Sequence, residues 1–305
     1  MLSLIQTALE LGLIYALTVL ALFLSYSMLD VCDLSTDGCF TLGAAAGAVV
    51  ALLGHPLLAL PAAMLAGMTS GLVTALLQTR LGIDSLLAGI IVNTGLYSVN
   101  IAVMAGASQV SLNRTDTLFT LARDLLKSTP LAGGHKLVVL AVLTALAVVL
   151  LTLFLNTRLG LAIRATGDNR DMVRASSIDP VFTVTVGLCL SGALTGLSGC
   201  LLAQYQRSAE INLGTGVLTV ALASLLIGRV LAHRGGILLR AAGAVAGAFL
   251  FRLIYALALQ LDMPAYMLKL TSAVIVALTI AVPYLKKQYP LLLRANQGKG
   301  GEGTC

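Results

Sequence analysis

Apolar runs close to 20 residues long recur along this chain, and they restrict its fold more than any other feature. A soluble core has no use for runs of that length. An α-helix of about 20 residues, by contrast, spans the roughly 30 Å hydrocarbon core of a bilayer with all its backbone hydrogen bonds made internally. The runs lie at roughly 4 to 27, 38 to 53, 57 to 79, 86 to 105, 136 to 156, 182 to 205, 215 to 228, 237 to 259 and 267 to 285. They predict an all-α integral membrane protein with about nine transmembrane helices, within a range of eight to ten because the second and seventh runs are short. A chain that is 58% hydrophobic and 10% charged, with mean hydropathy +0.96, fits that class. Met1 to Tyr26 has no basic leader followed by a small-residue cleavage site, so it is expected to be a retained first span.

Nine crossings place the two ends on opposite sides, and the basic residues choose the orientation. Arg80, Arg158, Arg164, Arg170, Arg174, Arg229, Arg234, Arg240, Lys286, Lys287, Arg294 and Lys299 share one side, against Arg114, Arg123, Lys127, Lys136 and Arg207 on the other. The first side is therefore expected to be the cytoplasm, with the C-terminus in it and the N-terminus outside. The same distribution accounts for the net charge of +6 without nucleic acid, since the basic residues sit in loops with no aromatic interleaving. The segment after Pro290 is Gly-rich and polar, so 291–305 is expected to be a disordered cytoplasmic tail.

Between the fifth and sixth runs lies a hydrophilic stretch, 158–180, dense in arginine. Ile163, Ala165, Met172, Val173 and Ile178 recur at helical spacing, while Arg164, Asp168, Asp171 and Arg174 supply a charged surface. A short amphipathic helix that meets a partner fits this pattern, and so does an ordinary solvated loop. The longest outer segment, 107–135, contains a second amphipathic pattern at Leu118 to Lys127, which reads as a helix on the outer surface.

A weak internal repeat suggests the architecture. Asp33 to Gly38 (DLSTDG) recurs as Asn212 to Gly216 (NLGTG), and Ile83–Asp84 ahead of the fourth run recurs as Leu261–Asp262 ahead of the ninth. Under nine spans the two copies face opposite sides, which makes an inverted repeat with halves at about 1–106 and 182–290. Both marker loops adjoin short runs, so interrupted helices are expected there, with free backbone groups lining a cavity. The candidate solute path runs between them: Asp33, Ser35, Thr36, Asp37 and Thr41 on one side, Asn212, Gly214 and Thr215 on the other. Asn93, Tyr97 and Asn100 fall at i, i+4, i+7 on the fourth run, with Thr94 beside them, a polar stripe that fits either pore lining or interhelical hydrogen bonding. Glu10, Arg252 and Lys269 are charged residues within or near runs. Small-residue spacings such as Gly43 with Gly47, Gly67 with Gly71, Gly192 with Gly196 and Gly243 with Gly247 point to close helix packing.

Catalytic chemistry is not encoded in any recognisable pattern. There is no Gly-rich loop ending in Gly-Lys-Ser/Thr to cradle phosphates. His55, His135 and His233 lie in three different loops, and Cys32, Cys39, Cys189, Cys200 and Cys305 form no metal-ligand cluster, so no metal site or catalytic residue is expected.

Gly160 to Asn169 (GLAIRATGDN), followed by Ala175 to Ile178 (ASSI), closely resembles the coupling-helix region of bacterial ABC importer permeases related to the branched-chain amino-acid and ribose permeases. The resemblance runs from Gly12 to about Tyr289. Asp37 to Gly43 (DGCFTLG) and Arg164 to Asn169 look most like the tryptophan or tyrosine permeases of that superfamily. Branched-chain permeases usually carry an NFAHG-like segment where this chain has Leu34 to Gly38 (LSTDG), which argues against that substrate. The resemblance implies a permease subunit of an ATP-driven importer for a small polar solute, with an aromatic amino acid as the first expectation and a sugar or nucleoside as the second. It implies that Gly160, Arg164, Ala165, Gly167, Asp168, Asn169, Arg170 and Arg174 contact a separate ATPase subunit, which holds ATP and Mg. A solute-binding protein, a second permease copy in a homodimer and a prokaryotic inner membrane are implied as well. The alternative is a secondary transporter or channel that needs no ATPase, since inverted repeats and interrupted helices serve those equally.

Overall fold

The structure is a computed structural model that describes residues 2–113, 115–126, 134–232 and 235–260, together with the single positions 270, 273, 274, 276, 277 and 281. The ninth apolar run, the marker Leu261–Asp262, Lys269 and the tail 291–305 therefore lie outside the described segments.

The apolar runs fold into helices. The long ones are α1 (Leu2–Leu22), which continues through a π-helical turn at Phe23–Met28, α3 (Ala59–Thr79), α4 (Ser85–Val103), α6 (His135–Leu155), α9 (Pro180–Gln206) and α11 (Ile237–Gln260). These six are long and apolar enough to cross a bilayer. The second and seventh runs fold into the shorter helices α2 (Thr36–Leu52) and α10 (Val217–Leu231). Polar residues set several helix starts: Asp84 accepts from the Leu86 amide ahead of α4, and Asp179, followed by Pro180 at the first helical position, accepts from the Val181 amide ahead of α9.

The outer segment adds two features. Helix α5 (Leu118–Leu126) lies where the amphipathic pattern predicted it, with Leu118, Phe119 and Ala122 buried and the Leu118 amide donating to Gln204 Oε1 at 2.7 Å. The all-α expectation holds, with one small addition: β1 (Gln109–Ser111) pairs antiparallel with β2 (Ser208–Glu210), tying the outer segment to the end of α9. Three-residue strands carry too short an alternation to be read from sequence.

Helix α9 forms the centre of the bundle. Its most apolar 18-residue stretch is 83% buried, against 17% for that of α6. Side-chain contacts give the helix directions. Ser198 Oγ donates to the Ile14 carbonyl, Ser191 Oγ to the Ala21 carbonyl and Tyr205 Oη to Glu10 Oε2, so α1 and α9 are antiparallel. Gly12 faces Phe249 and Arg240 donates to Ser27, so α11 is antiparallel to α1. Cys39 lies by Gly192, Gly43 by Gly196 and Gly47 by Cys200, so α2 runs parallel to α9. Gly228 meets Gly243 and Ser224 meets Gly247, so α10 is antiparallel to α11. It follows that α2 and α10 run in opposite directions.

Candidate functional site

The two short helices begin at the same place. Asp37, in the first turn of α2, accepts hydrogen bonds from the amides of Gly216 at 2.9 Å and Leu218 at 2.7 Å, at the start of α10. One turn on, Thr41 Oγ1 donates to the Asp37 carbonyl and accepts from the Gly214 amide, each at 3.1 Å. The first amides of a helix have no partner within it, so a carboxyl group that meets two of them supplies what the interruption would otherwise leave unsatisfied. Gly216 enters α10 with φ +85°, a conformation that favours glycine.

Beside this junction a groove of about 430 Å³ opens between α2, α4 and the segment 211–215. Asp37, Gly38, Thr41, Asn93, Thr94, Tyr97, Ser98, Asn100, Ile211, Asn212 and Thr215 line it, nearly all of them polar. Asn100 is buried and donates to the Gly38 carbonyl at 3.2 Å, holding α4 against α2. Asn93 Oδ1 packs where a Cβ of Gly38 would stand. Thr94, Tyr97 and Ser98 are exposed. One edge of the α4 polar stripe thus packs against α2 through Asn100, and the other borders the groove.

The remaining candidates on this side have other positions. Asp33 Oδ1 accepts from the Ser35 amide at 2.9 Å and from Ser35 Oγ at 2.6 Å, while Thr36 Oγ1 donates to the Asp33 carbonyl. Thr74 Oγ1 of α3 donates to Ser35 Oγ at 3.2 Å. Asp33, Ser35 and Thr36 are buried in this turn, which launches α2, and they do not line the groove. Gly214 is buried against the Asp37 carbonyl, so bulk at Ser35 or Gly214 would disturb packing before it obstructed a path.

The charged stretch 158–180 folds as two helices, α7 (Arg158–Asp168) and α8 (Arg170–Ala175), where the periodicity suggested one. Asn169 breaks them with extended backbone, and its side chain caps α8 by accepting from the Asp171 and Met172 amides at 3.0 Å. Gly160 packs against the end of α6 and Gly167 against the Met28 carbonyl, so both face the bundle. Arg164 and Ala165 are half-buried, whereas Asp168, Asn169, Arg170 and Arg174 are exposed. Met172, expected on the apolar face, is 62% exposed, and Val173 takes the buried position.

Of the charged residues within spans, Glu10 has clear partners, Tyr205 Oη at 2.9 Å and Gln6 Nε2 at 3.1 Å. Arg252 lies over the Tyr15 ring. Residue types at single positions reveal neither pairing, because each links helices far apart in sequence. Thr94 carried a signal as part of the polar stripe. Ser98 and Ile211 carried none, since nothing in their spacing points to a shared groove. Among the described residues, no group of three or more His, Cys, Asp or Glu side chains comes together to hold a metal ion.

A multi-pass helical bundle whose two short helices start at one polar groove defines a membrane permease. The chain matches the family described as branched-chain amino acid transport system, permease component, over residues 4–283, and it belongs to that family of non-catalytic ABC transport subunits. It is 32% identical over 295 residues to the tyrosine transport system permease protein of Clostridioides difficile (strain R20291), covering 94% of this chain and 96% of that protein. It is 29% identical to the protein named probable branched-chain amino acid transport permease LivH of Methanocaldococcus jannaschii, covering 75% of this chain and 64% of that one. It is 27% identical to the inner membrane ABC transporter permease YjfF of Escherichia coli (strain K12), covering 74% of each. No solved structure matches.

Proposed function

We propose that this permease imports an amino acid, with an aromatic one favoured, through the groove where α2 and α10 begin. The observation that carries this reading is the exposure of Thr94, Tyr97 and Ser98 at membrane depth beside the polar wall from Asp37 to Asn100. Polar side chains on a span are costly against lipid, so a second copy of the permease covers this face and the solute passes between the two. The tyrosine permease relative supports the choice of solute.

Two cytoplasmic ATPases, which hold the ATP and Mg, dock on 158–180, and a solute-binding protein delivers the solute at the outer surface. The halves 1–106 and 182–290 form the inverted repeat in a prokaryotic inner membrane. The C-terminus, with the tail 291–305, lies in the cytoplasm. The meeting of two oppositely directed short helices supports this arrangement.

The test uses Thr94→Cys and Ser98→Cys in a background without native cysteines, assembled with the ATPase and binding protein in proteoliposomes. A bulky thiol reagent should abolish L-tyrosine uptake and leave the assembly intact. Full uptake after complete modification would overturn the groove reading.

A further inference from the structure

The segment 211–219 separates the groove from a second cavity, of about 410 Å³, between α1, α10 and α11. Tyr15, Phe251, Arg252, Tyr255, Thr215 and Gly216 form much of its wall. Arg252 lies inside the span Ile237–Ala258, three residues beyond Phe249, which packs on Gly12 of α1. Its guanidinium carbon is 3.7 Å from the centre of the Tyr15 ring and 5.5 Å from that of Tyr255. Nε is shut off from solvent and makes no hydrogen bond.

An arginine held at this depth needs an anion or water. The ring contact stabilises the positive charge by about 0.5–2 kcal/mol but uses none of its N–H donors, which point outward in the guanidinium plane. Two acidic groups described within the bundle are engaged elsewhere: Glu10 with Tyr205 and Gln6, and Asp37 with the amides of α10. Among the described residues no carboxylate pairs with Arg252. A planar anion that accepts two parallel N–H bonds would satisfy the guanidinium there.

We propose that the Arg252 cavity is a carboxylate-binding site that takes the α-carboxylate of the solute, with the Tyr15 and Tyr255 rings flanking its side chain. This rests on the amino-acid reading of the solute and adds a site that the groove does not contain. Thr215 borders both cavities, so a solute held at Arg252 lies across one strand of backbone from the groove.

The test is binding to the full-length permease in phosphatidylcholine nanodiscs, read as melting temperature. L-Tyrosine and L-leucine should raise it, and their decarboxylated counterparts tyramine and isoamylamine should not. Arg252→Gln should weaken the response about tenfold or more, and Arg252→Lys should retain part of it, because a point charge replaces the bidentate fork.

Should Arg252→Gln fail to fold, wild-type protein suffices: L-tyrosine should protect Arg252 from phenylglyoxal, as read by mass spectrometry, and tyramine should not. Equal stabilisation by the amines, or stabilisation that survives Arg252→Gln, would overturn the proposal. So would a response to inorganic phosphate or phosphatidylglycerol but to no carboxylate. Failure here leaves the Thr94 and Ser98 modification result standing, and failure of that experiment leaves Arg252-dependent binding standing, so the two readings are separable.

Discussion

The carboxyl group of Asp37 and the backbone amide of Leu218 lie 2.7 Å apart, joining the first turn of α2 to the first turn of α10. The chain positions are far apart, yet the bond does locally what an N-cap does, because α10 begins after a glycine that has no side chain to cap it. The helix that Asp37 opens and the helix it caps run in opposite directions, so a single side chain fixes the relative placement of the two interrupted elements. A change that moves α10 must break or carry this bond, which makes Asp37 the natural point from which to test the site.

Asp37→Ala should orphan the amides of Gly216 and Leu218, costing about 1–3 kcal/mol each where they are shielded from water. Asp37→Asn keeps one carbonyl acceptor and should lose about half as much. Melting temperature and uptake should fall in the order wild type, Asn, Ala. An Ala variant that melts with the wild type would show that the junction does not depend on this side chain.

The spans were legible in the sequence because long apolar segments leave little freedom: every span expected within the described segments is a helix at nearly the expected bounds. The function of the polar loops was less legible, because the same residue types serve turns and pathways. Asp33, Ser35 and Thr36 form a closed turn, while Asp37 and Thr41 on the same segment reach the groove, and only the helical phase set by that turn separates them. The stretch 158–180 read as one helix because its apolar spacing passes through Asn169 unbroken. The structure breaks there because Asn169 caps α8 and leaves Met172 outward. The Arg252–Tyr15 contact was invisible, since it depends on α1 and α11 being neighbours.

Close helix approach at the centre gives a second prediction. A Cβ on Gly192 would collide with the Gly67 carbonyl oxygen, so the backbone of α3 itself would have to shift. Gly192→Ala should destabilise the fold by about 1–3 kcal/mol through overpacking. Gly95 has nothing within 4 Å of its would-be Cβ, so Gly95→Ala should be neutral or gain up to about 1 kcal/mol from helix propensity. Equal melting temperatures for the two variants would contradict the packing account.

Orientation can be checked directly. Arg170 and His55 are both exposed and lie at opposite ends of the bundle, past α7 and past α2 respectively. In a cysteine-free background, Arg170→Cys should react with an impermeant thiol reagent only from the cytoplasm and His55→Cys only from outside. Labelling of position 170 from outside would reverse the assignment of sides.

The last prediction concerns how the cytoplasmic helices reach the site. Arg240 of α11 donates to Ser27 at the end of α1 and lies within electrostatic reach of Arg229 on α10 and of Arg164 and Asp168 on α7. This charge group lies between α7 and the far end of the helix whose start Asp37 holds. Replacing Arg164 and Asp168 together by Ala should uncouple ATP hydrolysis from uptake while insertion and folding persist. Met172→Asp should act differently: it removes exposed apolar contact area without touching that charge group, so it should weaken ATPase docking by about 1.5–3 kcal/mol, the value of a buried methionine side chain. Co-purification with the ATPase reads the docking effect, and the ratio of solute-stimulated hydrolysis to uptake reads the uncoupling. If the double Ala variant keeps that ratio while Met172→Asp binds the ATPase normally, neither face of the α7–α8 pair carries the coupling.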